Sequence, residues 1–154
     1  MLDIVIPVYN EGANILAVLG ALERDVKTPC RVLLCYDFEE DDTLPVVRQS
    51  WRGALDVEFV RNRGSGAHGA VVSGFKAGAN PYIVVYAADD DYNAAILDAM
   101  VSLAQRGHAI VSASRFLPGG SMVNCPPLKE FLVRAASFAL HHFAGLPIHD
   151  ASNG

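Results

Sequence analysis

Short apolar runs that alternate with segments of helical periodicity most constrain how this chain folds. Five runs of apolar, largely β-branched residues have the length of buried strands: residues 4–8, 31–36, 57–60, 82–86 and 109–112. Segments that place apolar residues on one helical stripe lie between and after these runs: residues 14–24, 41–51, 68–79, 96–105 and 128–144. Strands that alternate with helices form a parallel sheet covered on both faces. The sequence therefore predicts an α/β fold, with an open, mostly parallel sheet and helices on both faces, in a single domain over residues 1–154.

Composition and charge exclude several classes of partner and location. The chain has 154 residues, 51% of them hydrophobic and 19% charged, which is typical of one globular domain. Its net charge of -5 is the opposite of the clustered basic face that nucleic acid requires, so we expect no nucleic-acid partner. No apolar run reaches the length of a membrane span, and the three cysteines lack C-x-x-C spacing. We therefore expect a cytoplasmic protein with free thiols.

Polar and charged motifs follow four of the predicted strands. They are PVYNEG after the first strand, YDFEEDD after the second, NRGSGAHG after the third and ADDD after the fourth. The carboxyl ends of parallel strands meet at one edge of a sheet, and ligands bind there where the strand order reverses. The sequence therefore predicts that these four motifs converge on one ligand-binding crevice.

Three consecutive aspartates, Asp89, Asp90 and Asp91, follow the apolar run of residues 82–86, which we expect to be a strand buried on both faces. One interpretation is a solvated acidic turn. The other is a divalent metal site, because Mg²⁺ and Mn²⁺ prefer oxygen ligands and are often held by one or two carboxylates together with a substrate diphosphate. On an extended segment Asp89 and Asp91 point to the same side, so both can face one cation.

The glycine-rich segment GSGAHG, residues 64–69, fits the G-x-G-x-x-G pattern of dinucleotide-binding folds, with Asp89 at a suitable distance downstream. That pattern belongs to the first strand–helix turn, whereas this segment follows the third predicted strand. Residues 61–63 also separate the strand from the first glycine. The sequence therefore favours a tight turn over an NAD(P) site.

Taken in order, the motifs resemble those of family 2 glycosyltransferases of the GT-A fold. The similar segments are IVIPVYNEGANI, the acidic cluster that ends in Thr43, GAHGAVVSGFKAG, the Asp-x-Asp after YIVVYAA, and ASRFLPGG. Within the family the resemblance is to the dolichol- or polyprenyl-phosphate mannosyltransferase type, and it extends to the terminal HDASNG. It implies a metal-dependent (Mg²⁺ or Mn²⁺), inverting transfer of a sugar from a nucleotide-diphosphate sugar donor to a lipid-phosphate or saccharide acceptor.

The resemblance also implies roles for single residues around the donor. Pro7, Tyr9 and Glu11 would border the nucleoside, Asp37 would hydrogen-bond the base, and Gly66 would belong to the substrate-binding residues.

A second group of implied residues concerns the metal and the phosphates. Asp89 and Asp91 would bind the cation, Arg115 would join them as a catalytic residue that faces phosphate, and Lys129 would be a further phosphate contact. The apolar face of residues 128–143 fits either contact with a lipid chain, at the inner face of a membrane, or packing on the sheet.

The sequence departs from the family pattern at several positions. The family usually has aspartate where Ala87 stands, often has an acidic pair where Tyr36 and Asp37 stand, and can carry glutamine where Asp91 stands. Relatives also continue beyond the position of Gly154, so we expect a truncated GT-A domain. These departures favour an alternative function, a non-catalytic nucleotide-sugar binding module.

Overall fold

The computed structural model of the chain describes residues 1–117, 120, 125–146 and 150. The chain divides into two compact units, Met1–Arg106 and Gly107–Gly154, each of which is described here by itself. Parts of the predicted loop between residues 116 and 127, and the terminal HDASNG except Asp150, lie outside the described residues. The single-domain organisation stays a prediction.

The first unit contains four strands and four helices. Its strands are β1 (Leu2–Pro7), β2 (Cys30–Tyr36), β3 (Asp56–Arg61) and β4 (Tyr82–Val85). Its helices are α1 (Ile15–Asp25), α2 (Thr43–Ser50), α3 (Gly66–Ala77) and α4 (Ile96–Gln105), and the second unit contributes α5 (Pro127–Phe143). All five predicted helices are confirmed, with ends that differ from the predicted ones by at most two residues.

The strands form one parallel sheet in the order β3-β2-β1-β4. Leu2 of β1 is level with Cys30 of β2 and with Tyr82 of β4, so the carboxyl ends of all three strands lie at the same end of the sheet. The predicted open parallel sheet is confirmed. Because β2 and β3 lie on one side of β1 and β4 lies on the other, the strand order reverses between β1 and β4.

Helices cover both faces of this sheet, as predicted. Ile4 and Ile6 of β1 are fully buried in a cluster that also contains apolar residues of α1, α2 and α4. Val5 points to the opposite face, where it packs with Leu33 and with Ala70 of α3. Strand side chains alternate between faces, so one apolar run supplies both cores.

Gly74 sets how closely α3 approaches the sheet. A Cβ at this position would lie 2.4 Å from Val5 Cγ1 and 2.8 Å from Cys35 Sγ, both in the buried core. We therefore expect Gly74→Ala to lower the free energy of unfolding by about 1–3 kcal/mol, because the added methyl group overpacks this contact.

Gly20, in the middle of α1, is the matched control. A Cβ there meets no atom within 4 Å, so Gly20→Ala should raise stability by about 0.5–1 kcal/mol through helix propensity alone. Urea denaturation of both variants measures the difference, and an equal gain in stability in both would contradict the close contact.

Two predictions about strands are wrong. The run of residues 82–86 is not buried on both faces, because α3 packs mainly on β1, β2 and β3, while β4 is the outermost of the strands that the structure describes. Ile83 and Val85 are consequently 38% and 40% exposed, and only the alternate residues pack on the core. Residues 109–112 form no strand, since no described strand pairs with them, and Ile110 is 85% exposed.

In the second unit, α5 carries a stripe of exposed apolar side chains. They recur at spacings that share one side of a helix: Leu128, Phe131, Leu132, Phe138 and Phe143. Across the described residues, no helix combines the length and the hydropathy that crossing a bilayer would require.

Candidate functional site

A small cavity lies where the strand order reverses, at the carboxyl ends of β1 and β4. Its volume is about 110 Å³, and it is lined by the start of α1 and by two of the three aspartates: Ala13, Asn14, Ala17, Val18, Asp89 and Asp91. Ligands of open parallel sheets bind at such a reversal. The cavity is therefore the candidate functional site.

The three consecutive aspartates have different partners. Asp90 turns back into its own loop, where its carboxylate accepts hydrogen bonds from the backbone N–H groups of Tyr92 and Asn93 at 3.1 and 3.0 Å. Asp89 and Asp91 instead line the cavity. Both carboxylates thus share one side, but the extended backbone on which that expectation rested is wrong, because Ala88 and Asp89 form a turn in which the Asp90 N–H donates to the Ala87 carbonyl at 3.4 Å.

Two carboxylates are a suitable donor set for a Mg²⁺ or Mn²⁺ ion that also binds a substrate diphosphate. Among the described residues, no group of three or more histidine, cysteine, aspartate or glutamate side chains is placed to hold a metal ion. A cation at Asp89 and Asp91 would need further ligands from a bound substrate. Asp89 and Asp91 therefore fit a cation that is shared with the ligand, and their role as metal ligands stays a prediction.

The loop between β1 and α1 is held by side chains at the start of α2. Three successive backbone N–H groups each donate to one of them: Asn10 to Asp41 Oδ2 at 3.1 Å, Glu11 to Thr43 Oγ1 at 2.9 Å and Gly12 to Asp42 Oδ1 at 2.8 Å. We call Asp41, Asp42 and Thr43 the loop clamp. The acidic cluster is visible in the sequence, but these partners were not predicted.

The residues expected to border the nucleoside lie along this same loop. Pro7 ends β1, and the ring of Tyr9, which is 67% exposed, makes an edge contact with the ring of Phe38 at 5.4 Å. The Glu11 carboxylate accepts a hydrogen bond from Asn14 Nδ2 at 2.8 Å, which connects the loop to the cavity wall. Phe38 was not predicted, although an aromatic residue within an acidic segment after a strand is a visible signal.

Asp37 is tied to the glycine-rich segment. Its carboxylate accepts hydrogen bonds from Asn62 Nδ2 at 2.6 Å and from the backbone N–H of Gly66 at 3.0 Å. Gly66 begins α3 with a φ of 67°, a left-handed conformation that favours glycine. The N–H group at the start of α3 therefore already binds a carboxylate of the chain itself, which supports the prediction that this segment is not a dinucleotide site.

Asn62 organises the remainder of the glycine-rich segment and was missed in the sequence. It is 7% exposed, and its Oδ1 accepts hydrogen bonds from the N–H of Gly64 at 2.8 Å and from Ser73 Oγ at 3.1 Å. A Cβ at Gly69 would lie only 3.0 Å from this amide, so a side chain there would push against Asn62. The glycine pattern thus reflects a packed turn.

Tyr36 stands where the family often carries an acid. Its hydroxyl donates to Glu39 Oε1 at 3.0 Å, and burial, together with this hydrogen bond, raises the pKa of Tyr36. The side chain is therefore neutral near pH 7. It contributes packing at the end of β2 rather than a negative charge.

Arg115 and Lys129 belong to the second unit. The Arg115 guanidinium donates from Nε and Nη2 to both carboxylate oxygens of Asp150, at 2.9 and 2.7 Å. This hydrogen bonding raises the pKa of Arg115, and the Asp150 side chain is only 1% exposed. Lys129 is exposed in the first turn of α5. Their contact with phosphate stays a prediction.

Comparisons with known proteins agree with this fold. The family model Glycosyl transferase family 2 matches residues 3–153. A dolichol-phosphate mannosyltransferase of Pyrococcus furiosus is 22% identical over 135 residues, which cover 87% of this chain and 38% of that protein. An undecaprenyl-phosphate mannosyltransferase of Micrococcus luteus is 30% identical over an alignment of 159 positions that covers 97% of this chain and 63% of that protein.

A solved structure also shares the fold. The S. aureus protein TarS, residues 1–349 in complex with UDP-GlcNAc, is 21% identical, with a TM-score of 0.55 over 68% of this chain and 31% of that one. The chain thus spans 38% and 63% of the length of these two relatives and 31% of the solved structure.

Proposed function

The chain belongs to glycosyl transferase family 2, and from this premise we propose that the crevice at the carboxyl ends of its strands, of which the cavity is one part, binds a nucleotide-diphosphate sugar for transfer of the sugar to an acceptor. The observation that carries the proposal is the pair of carboxylates, Asp89 and Asp91, that face one cavity at the reversal of the strand order. Two like charges side by side in a cavity repel each other, and a cation shared with the donor offsets that repulsion.

Asp89 and Asp91 would hold Mg²⁺ or Mn²⁺ against the donor diphosphate. When bound, the cation supplies positive charge that stabilises the leaving nucleoside diphosphate. The residues of the chain then bind and orient the donor. Tyr9 and Pro7 would lie against the nucleoside, and Asp37 would accept a hydrogen bond from the base.

Glu11 and Gly66 complete the proposed substrate-binding set. Glu11 would border the nucleoside, and its carboxylate also binds the side chain of Asn14, which lines the cavity. The N–H of Gly66 would hold the Asp37 carboxylate in place for the base.

In the proposed reaction, an acceptor oxygen forms a bond to the anomeric carbon while the bond from that carbon to the diphosphate breaks. The leaving nucleoside diphosphate takes the electron pair, and displacement from the opposite side inverts the configuration. A polyprenyl-phosphate acceptor is already anionic, so no general base is needed. The names of the relatives support this acceptor class. The resemblance implies that Arg115 and Lys129 would contact phosphate.

The exposed stripe of α5 supports peripheral contact with a membrane that carries such an acceptor. A helix with apolar side chains on one side and basic ones beside them binds the interface of a bilayer. We propose the inner face of the membrane for this contact, because the sequence predicts a cytoplasmic protein.

Donor titration tests the proposed function. We expect UDP- or GDP-sugars to bind with Mn²⁺ and not in EDTA, and NAD not to bind under either condition. Addition of polyprenyl phosphate in liposomes should then release nucleoside diphosphate, and the protein should sediment with the liposomes.

Each other outcome has a distinct meaning. Donor binding without release of nucleoside diphosphate would favour the non-catalytic binding module, which the absence of acids at Tyr36 and Ala87 suggests. Failure of every nucleotide sugar to bind in the presence of Mn²⁺ would contradict the proposal. Recovery of the protein in the supernatant would contradict the membrane contact alone.

A further inference from the structure

The β1–α1 loop presents a concave row of backbone N–H groups. Asn10 adopts a left-handed conformation with a φ of 54°, and the N–H groups of Asn10, Glu11 and Gly12 all donate to the loop clamp. Successive N–H groups around such a residue form an anion-binding nest. In dinucleotide folds the first strand–helix loop uses such groups to bind a pyrophosphate. Here side chains of the chain itself already occupy them.

Two of the three clamp residues are buried, and hydrogen bonds join the clamp to the loop in both directions. Asp41 and Thr43 are fully buried, and Asp41 Oδ1 accepts a hydrogen bond from the Thr43 N–H at 2.9 Å. In return, the N–H of Asp42 donates to Asn10 Oδ1 at 3.4 Å. A Cβ at Gly12 would lie 2.9 Å from Asp42 Oδ1, so the fit leaves no room for a side chain.

The clamped loop runs directly into the cavity. Ala13 and Asn14 follow Gly12 and line the cavity together with Asp89 and Asp91, and Glu11 binds the Asn14 side chain. Tyr9 precedes the clamped N–H groups. A change in the loop therefore moves the predicted nucleoside contact and the cavity wall together.

We propose that the loop clamp holds the β1–α1 loop in the shape that donor binding requires, with Thr43 and Asp42 as positioning residues. The proposal rests on the proposed function. Because the loop N–H groups already donate to the loop clamp, the donor diphosphate would bind the cation at Asp89 and Asp91 instead of the loop. Loss of one clamp acceptor leaves a loop N–H group unpaired, so that the loop and the adjoining cavity wall can move.

Thr43 offers a conservative pair of variants. Thr43→Val keeps the shape of the side chain and removes the oxygen that accepts from Glu11, whereas Thr43→Ser keeps the oxygen. We expect Thr43→Val to raise the Kd for a nucleotide sugar with Mn²⁺ by about fivefold to tenfold, the loss typical of one hydrogen bond, and Thr43→Ser to stay within about twofold of wild type.

Asp98→Ala is the control for a purely structural effect. The Asp98 carboxylate, on α4, accepts hydrogen bonds from the backbone N–H groups of Lys27 and Thr28 at 2.9 and 2.8 Å, just before the amino end of β2 and so at the end of the sheet opposite the cavity. Its replacement should lower the melting temperature without changing the Kd for the donor. Isothermal titration calorimetry and thermal melts on the same samples separate affinity from stability.

If Thr43→Val does not fold, the exposed Asp42 supplies a second pair. Asp42→Ala removes the acceptor for Gly12 and should weaken donor binding by a similar factor, and Asp42→Asn keeps an oxygen and should restore it. Wild-type affinity in Thr43→Val, or in Asp42→Ala where Thr43→Val does not fold, overturns the positioning role. A wild-type protein that binds no nucleotide sugar overturns the proposed function as well, so the two failures are distinguishable.

Discussion

Asp89→Asn should abolish metal-dependent donor binding, whereas Asp91→Asn should only weaken it. Asparagine keeps an oxygen ligand but removes the charge that attracts the cation, and the donor diphosphate is then repelled by the remaining acids. Loss of even an outer-sphere partner of a metal ligand costs about 10- to 100-fold, so loss of a direct ligand should cost at least about 100-fold. Asp89 is expected to matter more because the resemblance places glutamine in some relatives at the position of Asp91.

Asp90→Asn is the matched control, because it removes the same charge from the same loop. Its oxygen can still accept from the N–H groups of Tyr92 and Asn93, so donor affinity should stay close to wild type. Calorimetry with Mn²⁺ and a nucleotide sugar measures all three variants. In EDTA, Asp89→Asn should melt no lower than wild type, since it relieves repulsion between like charges. Wild-type donor affinity in Asp89→Asn would mean that the aspartates form only a solvated turn.

Asp3→Ala should destabilise the fold more than any surface substitution. Asp3 is fully buried at the amino end of β1, and its carboxylate accepts hydrogen bonds from Arg31 Nε at 2.7 Å, from the Ala79 N–H at 2.7 Å and from the Asn80 N–H at 2.9 Å. Removal of the carboxylate leaves these donors without their partner. Breaking such a pair costs about 3–5 kcal/mol, and we expect the lower end because Arg31 retains Glu58 as a partner.

Asp25→Ala is the comparison for this effect. The Arg24–Asp25 pair has a similar distance of 2.7 Å, but the Arg24 side chain is 66% exposed. Exposed pairs contribute about 0–1 kcal/mol, so Asp25→Ala should change the free energy of unfolding far less. Equal losses in the two variants, measured by urea denaturation, would contradict the importance of burial.

The Asp3 network also predicts a pH dependence. Burial raises the pKa of Asp3, but the hydrogen bonds from Arg31, Asn80 and Ala79 outweigh it and hold the pKa well below its usual range. An acid whose pKa is lower in the folded state stabilises the fold above the unfolded pKa of about 3.9, and this contribution is lost as the pH falls below it. The difference in melting temperature between wild type and Asp3→Asn should therefore narrow between about pH 6 and about pH 3. A constant difference would show that ionisation of Asp3 does not contribute.

Much of the candidate site could be predicted because it depends on local pattern. The position of Asp89 and Asp91 after a strand, at the ligand-binding end of the sheet, follows from the apolar run before them and from the rule that ligands bind at the carboxyl ends of parallel strands. Their shared side was expected from an extended backbone, whereas in the structure a turn at Ala88 and Asp89 produces it. The partners of Asp37 and of the loop clamp could not be predicted. Asn10 and Asp41 are 31 residues apart, and only the pairing of β1 with β2 brings their loops together.

Apolar periodicity by itself determined the α/β class and the five helices, because these depend on which side chains repeat at intervals of 2 or 3.6 residues. It also determined that the polar motifs meet at the carboxyl ends of the strands. Only the tertiary structure decided that β4 lies at the edge and exposes Ile83 and Val85, and that residues 109–112 form no strand. An apolar run of four or five residues has the same pattern in the centre of a sheet, at its edge or without a partner. Which of these it adopts depends on the hydrogen-bonding groups that neighbouring segments bring to it, and those are set by strand order and register.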